Sequence, residues 1–109
     1  MTDCIVVLVS VGSPAEGERI ADALVGEHLA ACVNIVGPIR SIFHWDNQIQ
    51  REEEHLLVIK TRGALFAELE QRIKAMHSYQ VPEIIALPIT MGPAAYLDWL
   101  RAETRPKEE

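Results

Sequence analysis

Between Arg40 and Lys60 the chain reads as two extended arms around Asp46-Asn47, and this segment constrains the fold more than any other. Along the first arm Ile42 and His44 face one way, Phe43 and Trp45 the other. Asp46 and Asn47 both tolerate positive φ, as a two-residue hairpin turn requires. The return arm, Ile49 to Lys60, is polar from Gln50 to Glu54 and apolar from Leu56 to Ile59. A hairpin of this length exceeds what one small sheet needs. Its solvated end should project beyond its own domain.

The rest of the sequence supplies a sheet for the hairpin to join. Cys4 to Val11 is apolar and β-branched without alternation, the pattern of a strand buried on both faces. Ser13-Pro14-Ala15-Glu16 matches a capping box with proline at the first helical position. The helix it opens, with Ile20, Ala23 and Leu24 on one face, should end near Gly26 to His28. Ala30 to Ile35 is a second strand, and Gly37-Pro38 interrupts it as a bend or bulge because proline cannot donate to a ladder. After the hairpin, Thr61 is placed to cap a helix from Gly63 to about Met76, with Leu65, Leu69, Ile73 and Met76 in a stripe. Ser78 to Pro82 forms a loop. Glu83 to Thr90 is a further strand whose Pro88 implies an edge or a bulge. Gly92-Pro93 opens a third helix with Tyr96, Trp99 and Leu100 on one side, and Thr104 to Glu109 reads as a frayed polar tail.

The order β-α-β-β-α-β plus a helix is the ferredoxin-like α+β pattern, an antiparallel sheet with two helices on one face. The 109 residues form a single domain on this reading. No helix is offered for the other sheet face, so self-association through sheet faces and strand edges is expected, with Phe43, Trp45 and Leu56 to Ile59 near subunit contacts.

Composition narrows the function. The net charge of −6 disfavours nucleic acid or anionic lipid as a partner. No apolar run spans a bilayer, and the stretch from Ile5 to Val9 lacks the basic flank of a secretory signal. The expected setting is the cytoplasm, with Cys4 and Cys32 as free thiols. No phosphate-binding glycine loop, nucleophile elbow or H-E-x-x-H motif is present. No base–nucleophile pair is evident, so an enzyme is not expected. Glu52 and Glu54 share a strand face and read as a solvated or interface strip that pairs with Arg or Lys rather than an acid–base pair. His44 and His55, on opposite arms, could approach one another, but two ligands alone bind a metal weakly. His28 is explained by a helix C-terminus.

The segment Met76-His77-Ser78-Tyr79-Gln80-Val81-Pro82-Glu83 gathers an imidazole, a phenol and a carboxylate beside a rigid proline. It reads either as a structural loop or as a ligand or metal pocket at a subunit boundary. With its main chain leaving the helix, the His77 ring would point outward, on the same side as Tyr79.

Five ordered segments carry a family likeness: Leu29-Ala30-Ala31-Cys32-Val33-Asn34, Ser41-Ile42-Phe43-His44-Trp45, Leu57-Val58-Ile59-Lys60-Thr61, Val81 to Ile89, and Tyr96-Leu97-Asp98-Trp99-Leu100. The chain resembles the CutA divalent-cation tolerance family from about Ile5 to Leu100. The resemblance implies a homotrimer of ferredoxin-like subunits built like the PII signalling proteins, and a role in tolerance of copper and other divalent cations. Metal binding would fall at His77, with Met76 and Cys32 as weaker candidates, and Trp45, Lys60, Tyr79 and Glu83 would line the intersubunit clefts. No cofactor is required on this reading, though Cu(II) or another divalent cation could bind, and no downstream protein partner is specified. The alternatives are a PII-like sensor of an anionic metabolite, charged by Lys60 and Arg40, or a structural trimer that presents other proteins. Relative to the family's usual His-Pro-Tyr, Ser78 replaces the proline; Val9 stands where some members carry a thiol.

Overall fold

The computed structural model describes residues 2–106. The element order is β1 (Cys4–Val11), α1 (Pro14–Gly26), β2 (Cys32–Trp45), β3 (Gln48–Arg62), α2 (Phe66–Met76), β4 (Ile84–Pro88) and α3 (Ala94–Ala102), with one 3-10 turn at Gly63–Leu65 leading into α2. The four strands form one antiparallel sheet in the order β2-β3-β1-β4. The ferredoxin-like α+β expectation is borne out, and β4, with its Pro88, is an edge strand.

Strand alternation sorts the side chains. Val7, Val9 and Val11 of β1 and Leu57 and Ile59 of β3 are fully buried on one face. They pack against Ile20 and Leu24 of α1 and Leu69 and Ile73 of α2. The stripe expected on α2 is the observed one. Each fully buried aliphatic side chain of this kind contributes about 1.5–3 kcal/mol, so this layer supplies most of the driving force. Because Leu57 and Ile59 are consumed inside the chain, only Leu56 and Val58, on the opposite face, remain available for contact with another copy.

That opposite face is not wholly bare. Cys4 lies there by alternation and is buried with Leu97 and Leu100 of α3. The side of α3 that packs is therefore Leu97 and Leu100, while Tyr96 and Trp99 stay largely exposed, with ring centroids 5.6 Å apart. The rest of the face is uncovered: Ile85 and Leu87 on β4 and Val36 on β2 are about half exposed.

The hairpin is as long as its sequence implied. β2 and β3 stay paired from Cys32↔Lys60 to Trp45↔Gln48, and Asp46 and Asn47 turn with φ of 53° and 61°. Its outer half gives the chain a long axis of 44 Å against 26 and 23 Å. The radius of gyration is 14.5 Å, above the ~13 Å of a compact chain this long. At Gly37-Pro38, a cis bond, β2 carries one extra residue: Val36 faces Leu56, and the next pair is Ile39 with Glu54. This is the bulge anticipated from the proline.

Two local expectations are corrected. Thr61 does not cap α2; it is buried in β3, where its Oγ1 donates to the Leu29 carbonyl at 2.7 Å. The tail is not frayed at its start. Thr104 is buried, the Arg105 N–H donates to the His28 carbonyl, and the Arg105 guanidinium meets Glu68 at 2.8 Å. Lys107 to Glu109 lie outside the described residues.

Candidate functional site

The α2–β4 loop crosses the end of β1, and a buried polar network fixes it there. The Ser13 Oγ accepts the Glu16 N–H at 3.2 Å, as the capping box requires. The Glu16 carboxylate does not reach back to Ser13. It accepts instead from the Ser78 N–H at 2.7 Å and the Ser78 Oγ at 3.0 Å, joining residues 62 apart. Burial alone would raise its pKa. The Ser78 donors, the neighbouring His77 and the Gly12 N–H outweigh burial and hold it below the ordinary value.

His77 sits inside this network. Its side chain has no solvent exposure, which corrects the expected outward orientation. The Tyr79 N–H donates to its Nδ1 at 3.0 Å, so the ring proton belongs on Nε2, which donates to the Ser10 carbonyl at 2.8 Å. The Glu16 Oε2 lies 3.5 Å from Nδ1. Both ring nitrogens are thus engaged within the chain, and a metal could take one only by breaking a bond that shapes the loop. Met76 packs partly buried against the main core rather than beside an open imidazole.

The loop delivers Tyr79 to the other face of the sheet. The ring passes Gly12, where a Cβ would come within 3.3 Å of the phenol oxygen. The hydroxyl donates to Glu54 Oε2 at 2.7 Å. Burial and the Glu54 carboxylate push the phenol's pKa well above its usual value. Glu54 itself is only 5% exposed, so it is not the solvated carboxylate that the strip of glutamates suggested. Glu52, two residues on, is exposed.

Glu54 forms the floor of an open groove of about 930 Å³. Glu52 and Gln50 continue along β3, and Phe43 and Trp45 form the β2 side. Tyr79, Gln80 and Glu83 close it from the loop. Tyr79, Glu83 and Trp45 therefore line one groove. Lys60 and Cys32 do not. They face each other six residues up β3 from Glu54, about 20 Å away at the strand's rise. There Lys60 Nζ donates to Asn34, and the Cys32 thiol lies 3.9 Å from the same amide. Arg40 pairs with Glu53 on the reverse face. His44 stands opposite Ile49 near the tip and His55 opposite Val11, so those two do not meet. Among the described residues no three His, Cys, Asp or Glu side chains converge closely enough to hold a metal ion.

Sequence reasoning passed over Ser10, read Glu16 only as a capping residue and misjudged the burial of Glu54. The visible signal was Gly12 just past β1, where the Tyr79 ring lies against a backbone that carries no Cβ.

The fold defines a small ferredoxin-like α+β protein whose projecting hairpin forms one wall of an acidic, aromatic groove. The family model for "CutA1 divalent ion tolerance protein" matches residues 5–103, and the chain belongs to that family. It is 50% identical over 99 residues to the divalent-cation tolerance protein CutA of Thermus thermophilus, covering 91% of this chain and 96% of that one. It is 48% identical over 101 residues to the chloroplastic protein CutA of Arabidopsis thaliana, covering 93% of this chain. It spans only 56% of the length of that plant relative and 57% of a rice one. The solved Thermus thermophilus structure superposes with a TM-score of 0.92 at 49% identity, over 94% of this chain and 99% of that one. Among the described residues no helix is long and apolar enough to cross a membrane.

Proposed function

We propose that the chain works as a homotrimeric, non-enzymatic divalent-cation tolerance protein that holds copper or another divalent cation weakly at its subunit boundaries. One observation carries the trimer: Val36, Ile85 and Leu87 on one sheet face are about half exposed beside the projecting hairpin, an apolar surface that the described residues leave open. Patches of this kind mark interaction sites. A closed ring of three copies is one way to cover such a face without leaving a free edge.

The cation would meet the groove rather than His77. Glu52 and Glu83 are accessible there, Tyr79 and Trp45 flank them, and a neighbouring copy would complete the ligand set. Two carboxylates and water give modest affinity to a borderline cation. His77 acts from behind, as the group that fixes the Tyr79 main chain. Lys60, Cys32 and Met76 stand outside this site. Among the described residues no Lys or Arg side chain lines the groove, which weighs against the anionic metabolite of a PII-like sensor. The two free thiols fit a reducing compartment, and we place the protein in the cytoplasm.

Light scattering tests the assembly: the expected mass is three times the 12.2 kDa chain, and a stable monomer at low micromolar concentration overturns the reading. Calorimetric titration with Cu(II) and Zn(II) tests the site. Weak binding that falls in Glu83→Gln and survives in Lys60→Gln supports it, whereas binding unchanged by Glu83→Gln overturns the groove assignment.

A further inference from the structure

We infer that His77 is a proton-operated latch on the α2–β4 loop: the neutral ring holds the Tyr79 main chain, and the protonated ring turns to Glu16 and releases it. The latch lies behind the groove and needs no metal, so it stands apart from the cation reading.

Two groups compete for one ring nitrogen. Nδ1 accepts the Tyr79 N–H at 3.0 Å, and Glu16 Oε2 lies 3.5 Å from the same atom. The other nitrogen is committed, because its proton goes to the Ser10 carbonyl at 2.8 Å. A neutral imidazole has a lone pair to offer on Nδ1, and that suits Tyr79. A proton gained in acid can go only to Nδ1. There it meets the Tyr79 N–H donor to donor, while the Glu16 carboxylate becomes a charge-assisted acceptor. Such bonds are about 2.8 Å long, so ring and carboxylate must close by roughly 0.7 Å to make one. The Tyr79 N–H is then left without an acceptor in a part-buried site, which is costly until the Ser78–Tyr79 peptide turns away.

The surroundings favour a positive charge on this ring. Among the described residues the titratable groups that face it are Glu16 from α1, Tyr79 from its own loop and, beyond the phenol, Glu54 from β3. The ion pairs formed among those residues bring no Lys or Arg to Glu16 or Glu54. The Ser78 donors hold Glu16 below the ordinary carboxylate value, so it stays ionised in mild acid. Burial and Glu54 push the phenol up, so it stays neutral. The side-chain type that takes up a proton in mild acid is histidine. Release then travels along the loop. The Tyr79 ring lies 4.7 Å from the His77 ring, and its hydroxyl is the donor to Glu54 on the other face of the sheet. A freed Tyr79 main chain loosens that bond, so the state of one buried imidazole is read at the groove.

The test is NMR on the isotope-labelled full chain at about pH 7 and about pH 5, within the range where histidine side chains gain their proton. At the higher pH the ring nitrogen shifts of His77 should report a proton on Nε2 alone. At the lower pH both nitrogens should carry one. The Tyr79 amide should then lose at least tenfold in hydrogen-exchange protection, corrected for intrinsic rates, while Val7 and Ile59 in the core keep theirs. His77→Gln, which cannot take the charge, should hold Tyr79 protection equal at the two pH values to within twofold. Glu16→Gln removes the acceptor for the new proton and should cut the acid loss at Tyr79 to less than threefold; if that variant does not fold, His77→Gln decides. A ring that protonates while Tyr79 stays protected would overturn the inference. So would a ring that keeps its single Nε2 proton at the lower pH, or an equal acid loss in either variant. Loss of protection at Val7 and Ile59 together with Tyr79 would mean acid unfolding of the whole chain and would overturn it too.

Discussion

Replacing Glu16 by Gln should reveal how much the buried network behind the groove contributes to stability. The carboxylate accepts two hydrogen bonds from Ser78, at 2.7 and 3.0 Å, from a side chain 7% exposed. Hydrogen bonds to a buried charge contribute about 1.5–3 kcal/mol each. Gln keeps the volume and one acceptor, so the net loss should be about 2 kcal/mol. With a guanidinium m-value of roughly 4 kcal/mol/M, the unfolding midpoint falls by about 0.5 M. The assay is guanidinium unfolding followed by circular dichroism at one fixed protein concentration. The loss should also depend on pH. Glu16 has a folded pKa below its unfolded value, so its contribution is complete above about pH 4.3 and vanishes as pH falls through the folded value. Wild type should therefore lead the variant by a constant margin from pH 6 to 8, and the margin should close in acid. A margin that persists unchanged in acid would show that packing, not charge, holds the loop. No margin at neutral pH would refute the network's contribution altogether.

Three further substitutions test other parts of the argument. Thr61→Val keeps the shape of a fully buried residue but strips the Leu29 carbonyl of its donor, and should cost about 1–3 kcal/mol in urea unfolding. Tyr79→Phe should cost about 1–3 kcal/mol by leaving the buried Glu54 without its hydroxyl donor; an unchanged midpoint would mean that solvent reaches Glu54 freely. A Cβ on Gly37 would collide with the His55 ring, so Gly37→Ala should destabilise by about 1–3 kcal/mol, and adding His55→Ala should recover part of that loss in thermal melts.

The parts of the molecule legible in the sequence are those set by neighbours along the chain. The Asp46-Asn47 turn, the break at Gly37-Pro38, the Ser13 cap and the Leu65–Leu69–Ile73 stripe all depend on residues within a turn or two, and all stand where the pattern placed them. Polar side chains were misread where their partner arrives from far away. Glu16 looked like the second half of a capping box, but Ser78, brought alongside by the end of α2, offers it two donors. Thr61 looked like a cap, but Leu29 presents a carbonyl across the sheet. Thr104 and Arg105 looked like solvated tail, but Arg62 of β3 donates to the Thr104 hydroxyl, and the His28 carbonyl and the Glu68 carboxylate of α2 receive Arg105. The groove was half legible for the same reason. Tyr79 and Glu83 stood out by residue type and Trp45 through the family likeness, whereas the burial of Glu54 depends on a phenol that must first pass Gly12.

The extra residue at Gly37-Pro38 acts as a frame shift within β2. Up to Val36 the even-numbered residues face the side of Leu56 and Val58; from Ile39 onward the odd-numbered ones do. Ser41, Phe43 and Trp45 thereby stand over Glu52, Gln50 and Gln48. Ironing out the bulge with every residue kept, so that the outer arm slips by one against β3 and the turn takes up the difference, would restore the even frame. Arg40, Ile42 and His44 would then occupy the groove wall, and a guanidinium and an imidazole would replace the serine and indole facing the carboxylates. The chemical character of this cleft is thus encoded less by which residues the hairpin contains than by one insertion that decides which half of them it shows.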